Sequence, residues 1–189
     1  MMNKFLVGFD EAGRGPLAGP VCAAAVILPS DFCVEILNDS KKLSEKKREA
    51  AYEIIIQKSY WGVGLVEHFE IDKINILNAS LLAMQRAFED LQKRFPHVDV
   101  QNLEGIADGI YIPKVPFKCR PEVKADAKFP EVMAASIIAK VTRDRLMVEY
   151  DKLYPEYGYA KHKGYPTKAH KEVCLKIGPS PIQRLSFKI

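Results

Sequence analysis

Residues 13–20, GRGPLAGP, crowd three glycines and two prolines between two short apolar runs, Lys4 to Phe9 and Val21 to Leu28. Both runs read as strands. Proline lacks the amide that a central strand needs, and glycine permits turns closed to other residues, so the segment between them is a loop. The chain must leave one strand and return in another, with Asp10 and Glu11 at the exit. The same feature argues against a dinucleotide-binding loop. That loop runs straight from strand to helix, whereas Pro16 and Pro20 oppose a helix and a strand follows. The two acids would also repel a bare pyrophosphate.

Further along, Tyr60 to Val66, Leu103 to Ala107 and Pro121 to Lys124 predict three more strands. Helices are predicted from Ser44 onward, on Ala51, Ile54 and Ile55, and from Ile71 to Phe95, stopped by Pro96. Two more are expected over Glu131 to Tyr150, with a face of small residues, and Thr167 to Lys176. Strands first, then strands interleaved with helices, predict an α/β fold with a mixed central sheet, its first three strands an antiparallel meander. With 189 residues, 48% of them hydrophobic, the chain can build one full core. Its longest apolar stretch, Val21 to Leu28, falls far short of the roughly 20 residues that span a bilayer, so no membrane association is expected. MMNKFLVGFDE reaches its acids too early for a signal-peptide core. Cys22, Cys33, Cys119 and Cys174 form no CxxC pair, so neither a disulfide framework nor a zinc site is expected, and the cytoplasm is the expected location.

Net charge is +4, unevenly spread: Lys161 to Ile189 holds seven basic residues against Glu172 alone. A basic tail on a slightly acidic body suits a polyanionic partner, although a solvated surface would give the same count.

The acids carry the chemistry. Asp10 and Glu11 close the first strand, Asp108 closes the fourth before Gly109, and Asp126 follows the fifth. In α/β proteins, ligands bind at the carboxyl ends of strands. Carboxylates gathered there repel one another unless a divalent cation compensates, and oxygen donors without a His or Cys cluster suit Mg²⁺ or Mn²⁺ rather than zinc. Adjacent strand residues face opposite ways, so Asp10 and Glu11 share a site only if the chain turns there, which Gly13 permits.

These segments resemble the type 2 ribonucleases H, the bacterial ribonuclease HII group. The resemblance begins with DEAGRGPLAGPV (Asp10 to Val21) and continues through DSKKLSEKKRE (Asp39 to Glu49), ADG (Ala107 to Gly109) and KADAKFPEVMAASIIAKVTRDR (Lys124 to Arg145). It ends with GYAKHKGYPTKAH (Gly158 to His170) and GPSPIQRLSF (Gly178 to Phe187). The resemblance implies a ribonuclease H-like fold, with residues 1–155 as catalytic domain and residues 156–189 as a basic C-terminal extension packed on it. It implies Asp10, Glu11, Asp108 and Asp126 as catalytic and metal-binding acids, holding two divalent ions, Mg²⁺ or Mn²⁺. It also implies Gly13, Arg14 and Gly15 as a substrate-binding loop and Tyr165 as a substrate-sensing tyrosine. Lys161, Lys163 and Lys168 around that tyrosine are expected to contact phosphates.

The implied activity is hydrolysis of the RNA strand of RNA·DNA hybrids, with incision 5′ of single ribonucleotides in duplex DNA, by a monomer. A non-catalytic hybrid-binding module would explain the tail but leaves the acids without a purpose. The chain has Ala125 and Pro166 where many bacterial members have glycine. Asp144 is expected to face away from the metals and support its helix, and His162 and His170 to be surface or backbone-contacting groups. The block Lys41-Lys42 and Lys46-Lys47-Arg48 reads equally as a solvated helix face or a second contact to the nucleic-acid backbone.

Overall fold

The computed structural model describes residues 4–37 and 44–189, so Lys41 and Lys42 lie outside the described residues. Among the described residues five strands form one sheet: β1 (Phe5–Ala12), β2 (Val21–Ile27), β3 (Tyr60–Val66), β4 (Leu103–Asp108) and β5 (Cys119–Glu122), in the order β3-β2-β1-β4-β5. β1 and β2 pair antiparallel, as do β2 and β3, and β4 joins β1 in parallel with Phe9 opposite Ala107. The sheet is therefore mixed, with the antiparallel meander that the sequence predicts.

β2 is buried along its whole length, which marks a strand covered on both faces. Its alternate residues separate the two layers. Val21, Ala23 and Ala25 pack with Ala83, Ala87 and Leu91 of α2 (His68–Arg94). Cys22, Ala24 and Val26 pack with Ile55 of α1 (Glu45–Lys58) and with Ala135, Ile138 and Ala139 of α3 (Pro130–Leu153). The small face predicted for α3 thus lets it lie close against the sheet. Gly8 carries this further: a Cβ there would stand 2.3 Å from the carbonyl carbon of Glu131, so the start of α3 rests directly on β1.

Two predicted elements differ. The helix expected from Ile71 breaks at Asn75, whose φ is 65°, and restarts with the Asn75 side chain accepting from the Asn78 amide at 3.1 Å. Asparagine tolerates the left-handed region and caps the new turn, so an unbroken apolar spacing concealed the kink. The fifth strand ends at Glu122 rather than Lys124, because Lys124 is itself left-handed, with φ 57°. Pro121 costs no pairing, since β5 is an edge strand.

The C-terminal segment folds back with two short helices, α4 (Tyr159–His162) and α5 (Lys168–Ile177). Tyr157, Tyr159, Cys174 and Ile182 form a small core with Met147 of α3 and Ala18 of the glycine loop.

Candidate active site

The parallel register of β1 and β4 brings Asp10 level with Asp108 at the carboxyl end of the sheet, one step beyond Phe9 and Ala107. Gly8 faces α3, so Asp10, two residues later, shares that face. Glu11 is on the opposite side of β1, which continues to Ala12 without turning. The turn expected at Gly13 is thus unnecessary: the sheet ends here, and both acids line one cleft. That cleft, of about 410 Å³, is also lined by Gly13, Arg14, Gly15, Asp108 and Tyr165.

The carboxylates sit in a strained balance. Burial, and after it the charges of Glu11 and Asp108, push the Asp10 carboxyl well above its ordinary range. The Ser136 hydroxyl and the Glu11 amide, which donates at 2.8 Å, pull the other way. Burial also raises Glu11, against the opposing pull of Arg14, whose guanidinium is 3.2 Å from its carboxylate. Asp108 accepts from the Ala125 amide at 2.7 Å, tying β4 to the turn of residues 125–127. Ala125 serves here through its amide, and the left-handed residue is Lys124, so no glycine is required at 125.

Asp126 is on that turn and is buried, but it does not line the cleft. Among the described residues, no three acidic, histidine or cysteine side chains are drawn closely enough to cage a metal ion. The donor set still fits a hard divalent cation. Mg²⁺ is commonly held by one or two carboxylates with the remainder supplied by water and substrate phosphates, and Asp10 with Asp108 offers that pair.

Tyr165 is 40% exposed. A Cβ on Gly15 would be 3.5 Å from its Cε1, so the glycine loop and the tyrosine face each other directly. The Tyr165 amide donates to the His162 carbonyl at 2.9 Å, and its carbonyl pairs with His170 Nδ1 at 2.9 Å. His162 and His170 are stacked 4.5 Å apart beneath it. His170 is fully buried, which corrects the surface reading of that residue, although both imidazoles do contact backbone carbonyls. Pro166 is exposed and follows the tyrosine without entering a hydrogen-bonded strand or helix.

The lysines stand elsewhere. Lys161 and Lys168 are exposed, Lys163 bonds to the Ala160 carbonyl, and none of the three lines the cleft. The cleft cations are instead Arg14, Arg48 and Lys140. Lys140 was missed by sequence reading. Its signal is the four-residue spacing to Asp144 on α3, where the two form an ion pair at 2.8 Å. Lys140 Nζ also sits 5.8 Å from the centre of the Tyr165 ring. Asp144 therefore pairs along its own helix with a lysine that lines the cleft.

Two buried arginines were missed as well. Arg184, counted above with the basic tail, has no exposed surface and is closed to any polyanion. It donates to the carbonyls of Gly13 (2.7 Å), Arg14 (3.2 Å), Pro16 (2.9 Å) and Gly19 (2.8 Å). Arg143 donates to Ala18 (3.1 Å), Pro20 (2.9 Å) and Lys163 (2.9 Å). Burial, and then Arg143, push Arg184 down to about 9, which still leaves it charged at neutral pH.

Comparisons with known proteins identify the family and the fold. A family model described as Ribonuclease HII matches residues 7–189. Ribonuclease HII of Treponema denticola is 52% identical over 192 residues, covering 96% of this chain and 97% of the relative. That of Caldanaerobacter subterraneus is 50% identical over 185 residues, covering 97% and 74%. Among solved structures, ribonuclease H2 from Pyrococcus horikoshii superposes with a TM-score of 0.73 at 27% identity, covering 97% of this chain and 94% of that one. RNase HII from Archaeoglobus fulgidus, solved in complex with PCNA, gives a TM-score of 0.76 at 24% identity, covering 98% and 96%, and so shares the fold. The fold is thus ribonuclease H-like, and the chain belongs to the ribonuclease HII family of endoribonucleases, hydrolases that cut RNA paired with DNA.

Proposed function

We propose that this chain hydrolyses the RNA strand of RNA·DNA hybrids and incises 5′ of single ribonucleotides in duplex DNA, leaving 5′-phosphate and 3′-hydroxyl ends. The supporting observation is that Asp10 and Asp108, level on one face of neighbouring strand ends, share a cleft with the facing pair Gly15 and Tyr165. One side of the cleft suits phosphodiester hydrolysis and the other suits recognition of a sugar.

Asp10 and Asp108 would hold the divalent ions, with Glu11 and Asp126 completing the set as in the family. Two such ions, Mg²⁺ or Mn²⁺, would supply the charge that activates a water and stabilises the leaving oxygen. Ser136 orients Asp10, and Ala125 orients Asp108. Arg14 holds Glu11 by an ion pair at its own loop. Selectivity comes from the 2′-hydroxyl, which separates RNA from DNA. Gly13 and Gly15 bring main-chain groups to that hydroxyl, and Tyr165 stacks on the sugar or base. Lys140 and Arg48 grip flanking phosphates, with Lys161, Lys163 and Lys168 as more distant contacts. The protein acts as a monomer in the cytoplasm. Among the described residues, no helix is long and apolar enough to cross a membrane.

The test is cleavage of a duplex carrying one ribonucleotide, with the product ends mapped. Incision on its 5′ side that stops when a chelator is added is expected. Binding without cleavage would favour a hybrid-binding module, and a 3′-phosphate product would overturn the mechanism.

A further inference from the structure

The glycine loop is not held by its own sequence. The Arg184 guanidinium makes four hydrogen bonds to loop carbonyls: Nε donates to Gly19, Nη1 to Arg14 and Pro16, and Nη2 to Gly13. No cis peptide bond occurs among the described residues. In a trans peptide, the carbonyl of one residue and the amide of the next point in opposite directions. Because the Gly13 and Arg14 carbonyls turn inward to Arg184, the amides of Arg14 and Gly15 turn outward. Outward here is toward the cleft, since Arg14 and Gly15 line it and Gly15 faces Tyr165.

Arg143 joins this loop to the tyrosine's segment. Its Nη1 donates to the Lys163 carbonyl, two residues before Tyr165, while Nε and Nη2 hold Pro20 and Ala18. The Leu17 amide donates to the Gly164 carbonyl at 2.8 Å, and the Arg184 amide donates to the Leu17 carbonyl at 2.8 Å. Gly13, with φ 98°, admits Arg143: a Cβ there would stand 2.1 Å from its Nε. A buried cation costs stability unless its donors are satisfied, and two neighbouring ones cost more. Backbone carbonyls accept four hydrogen bonds from Arg184 and three from Arg143, so the arrangement fixes the peptide planes.

We infer that Arg184, with Arg143, is a positioning residue that presets the Arg14 and Gly15 amides as donors facing the cleft, poised to donate to the oxygen of a ribose 2′-hydroxyl beside Tyr165. Arg184 never touches the substrate. It determines which face of the loop the substrate meets, and the C-terminal segment thereby takes part in ribonucleotide recognition. This rests on the reading under Proposed function.

The test compares wild type with Arg184→Lys and Arg184→Gln, neither of which can fork to four carbonyls. The readouts are kcat/KM on a duplex with one ribonucleotide, kcat/KM on a long RNA·DNA hybrid, and Mn²⁺ affinity without nucleic acid. A folded variant should lose about tenfold more on the single ribonucleotide than on the hybrid, where neighbouring hydroxyls offer other registers, and keep its Mn²⁺ affinity. Equal losses on both substrates, or none, would overturn the inference. Should neither variant fold, amide exchange in the wild type decides. With Ca²⁺ in place of the catalytic ion, the Arg14 and Gly15 amides should become protected by the ribonucleotide duplex and not by the same duplex in all-DNA form. Unchanged exchange would overturn the inference too. Failure of the wild type to cleave either substrate would instead refute the proposed function.

Discussion

Gly15 and Tyr165 face each other at van der Waals range, with a Cβ on the glycine falling 3.5 Å from Cε1 of the ring. That distance is tolerable within the protein but occupies space a sugar would need. Gly15→Ala should therefore unfold in urea within about 0.5 kcal/mol of wild type, while kcat/KM on a single-ribonucleotide duplex falls about tenfold. Gly13→Ala should behave oppositely. Its left-handed φ of 98° and the overlap with Arg143 predict a loss of about 2 kcal/mol or more in stability. Equal destabilisation by the two would refute this assignment of their roles.

Tyr165 offers a stacking face and a hydroxyl. Tyr165→Phe should cost about 0.5–1.5 kcal/mol in kcat/KM, the value of one neutral hydrogen bond. Tyr165→Ala should cost roughly another 1–3 kcal/mol for the lost stack. Kinetics at fixed Mg²⁺ on the two substrates separate a recognition role from a structural one, since only recognition makes the losses greater for the lone ribonucleotide.

Lys140 stands at the cleft because Asp144 holds it. Lys140→Ala should raise KM and reduce the slope of log affinity against log salt by about one phosphate contact. Asp144→Asn should do less of the same, because the lysine keeps its charge but loses its anchor. An unchanged salt slope in Lys140→Ala would place the lysine off the nucleic-acid path.

Burial pulls the His170 imidazole below its ordinary value, so the folded protein resists a proton that the unfolded chain accepts. The stability tied to neutral His170 is complete above about pH 6.5 and is lost as pH falls from there toward the lower folded-state value. Thermal unfolding of wild type and His170→Asn, which keeps a donor for the Tyr165 carbonyl, should diverge between about pH 7.5 and 5.5. The wild type is expected to lose more Tm on acidification, and parallel curves would show that the imidazole does not titrate in this way.

What the sequence made legible was local. Strand runs and the acids that end them are written in contiguous residues, so Asp10, Glu11 and Asp108 could be placed at strand ends before any contact was known. The antiparallel pairing of β1 with β2 followed from the short loop of residues 13–20, whereas β3 is reached only after α1. Arg143 and Arg184 were not legible, because their partners are backbone carbonyls, all but that of Lys163 lying 123 to 171 positions away, and a carbonyl carries no sequence signature. A basic residue in a basic tail reads as surface, and only the fold shows Arg184 to be fully buried. Lys140 was similarly hidden, since a charge on a helix gives no sign of which helix end meets the cleft, whereas Arg48, which reads equally as a solvated face or a backbone contact, lines the cleft. Asn75 shows the converse limit: apolar periodicity continued through a backbone break that one side chain caps.

The central claim is that carboxylates at two strand ends hold the ions that drive hydrolysis, and Asp10→Asn with Mn²⁺ tests it most directly. Asp10 is buried, with its carboxyl raised by burial and by its acidic neighbours, so removing its charge should leave the fold as stable as wild type or more so. Mn²⁺ binding measured by calorimetry without nucleic acid should weaken, and turnover at saturating Mn²⁺ should fall at least about 10²-fold. Wild-type Mn²⁺ affinity together with more than about a tenth of wild-type turnover would contradict the account, since losing one electrostatic stabiliser usually costs more than that.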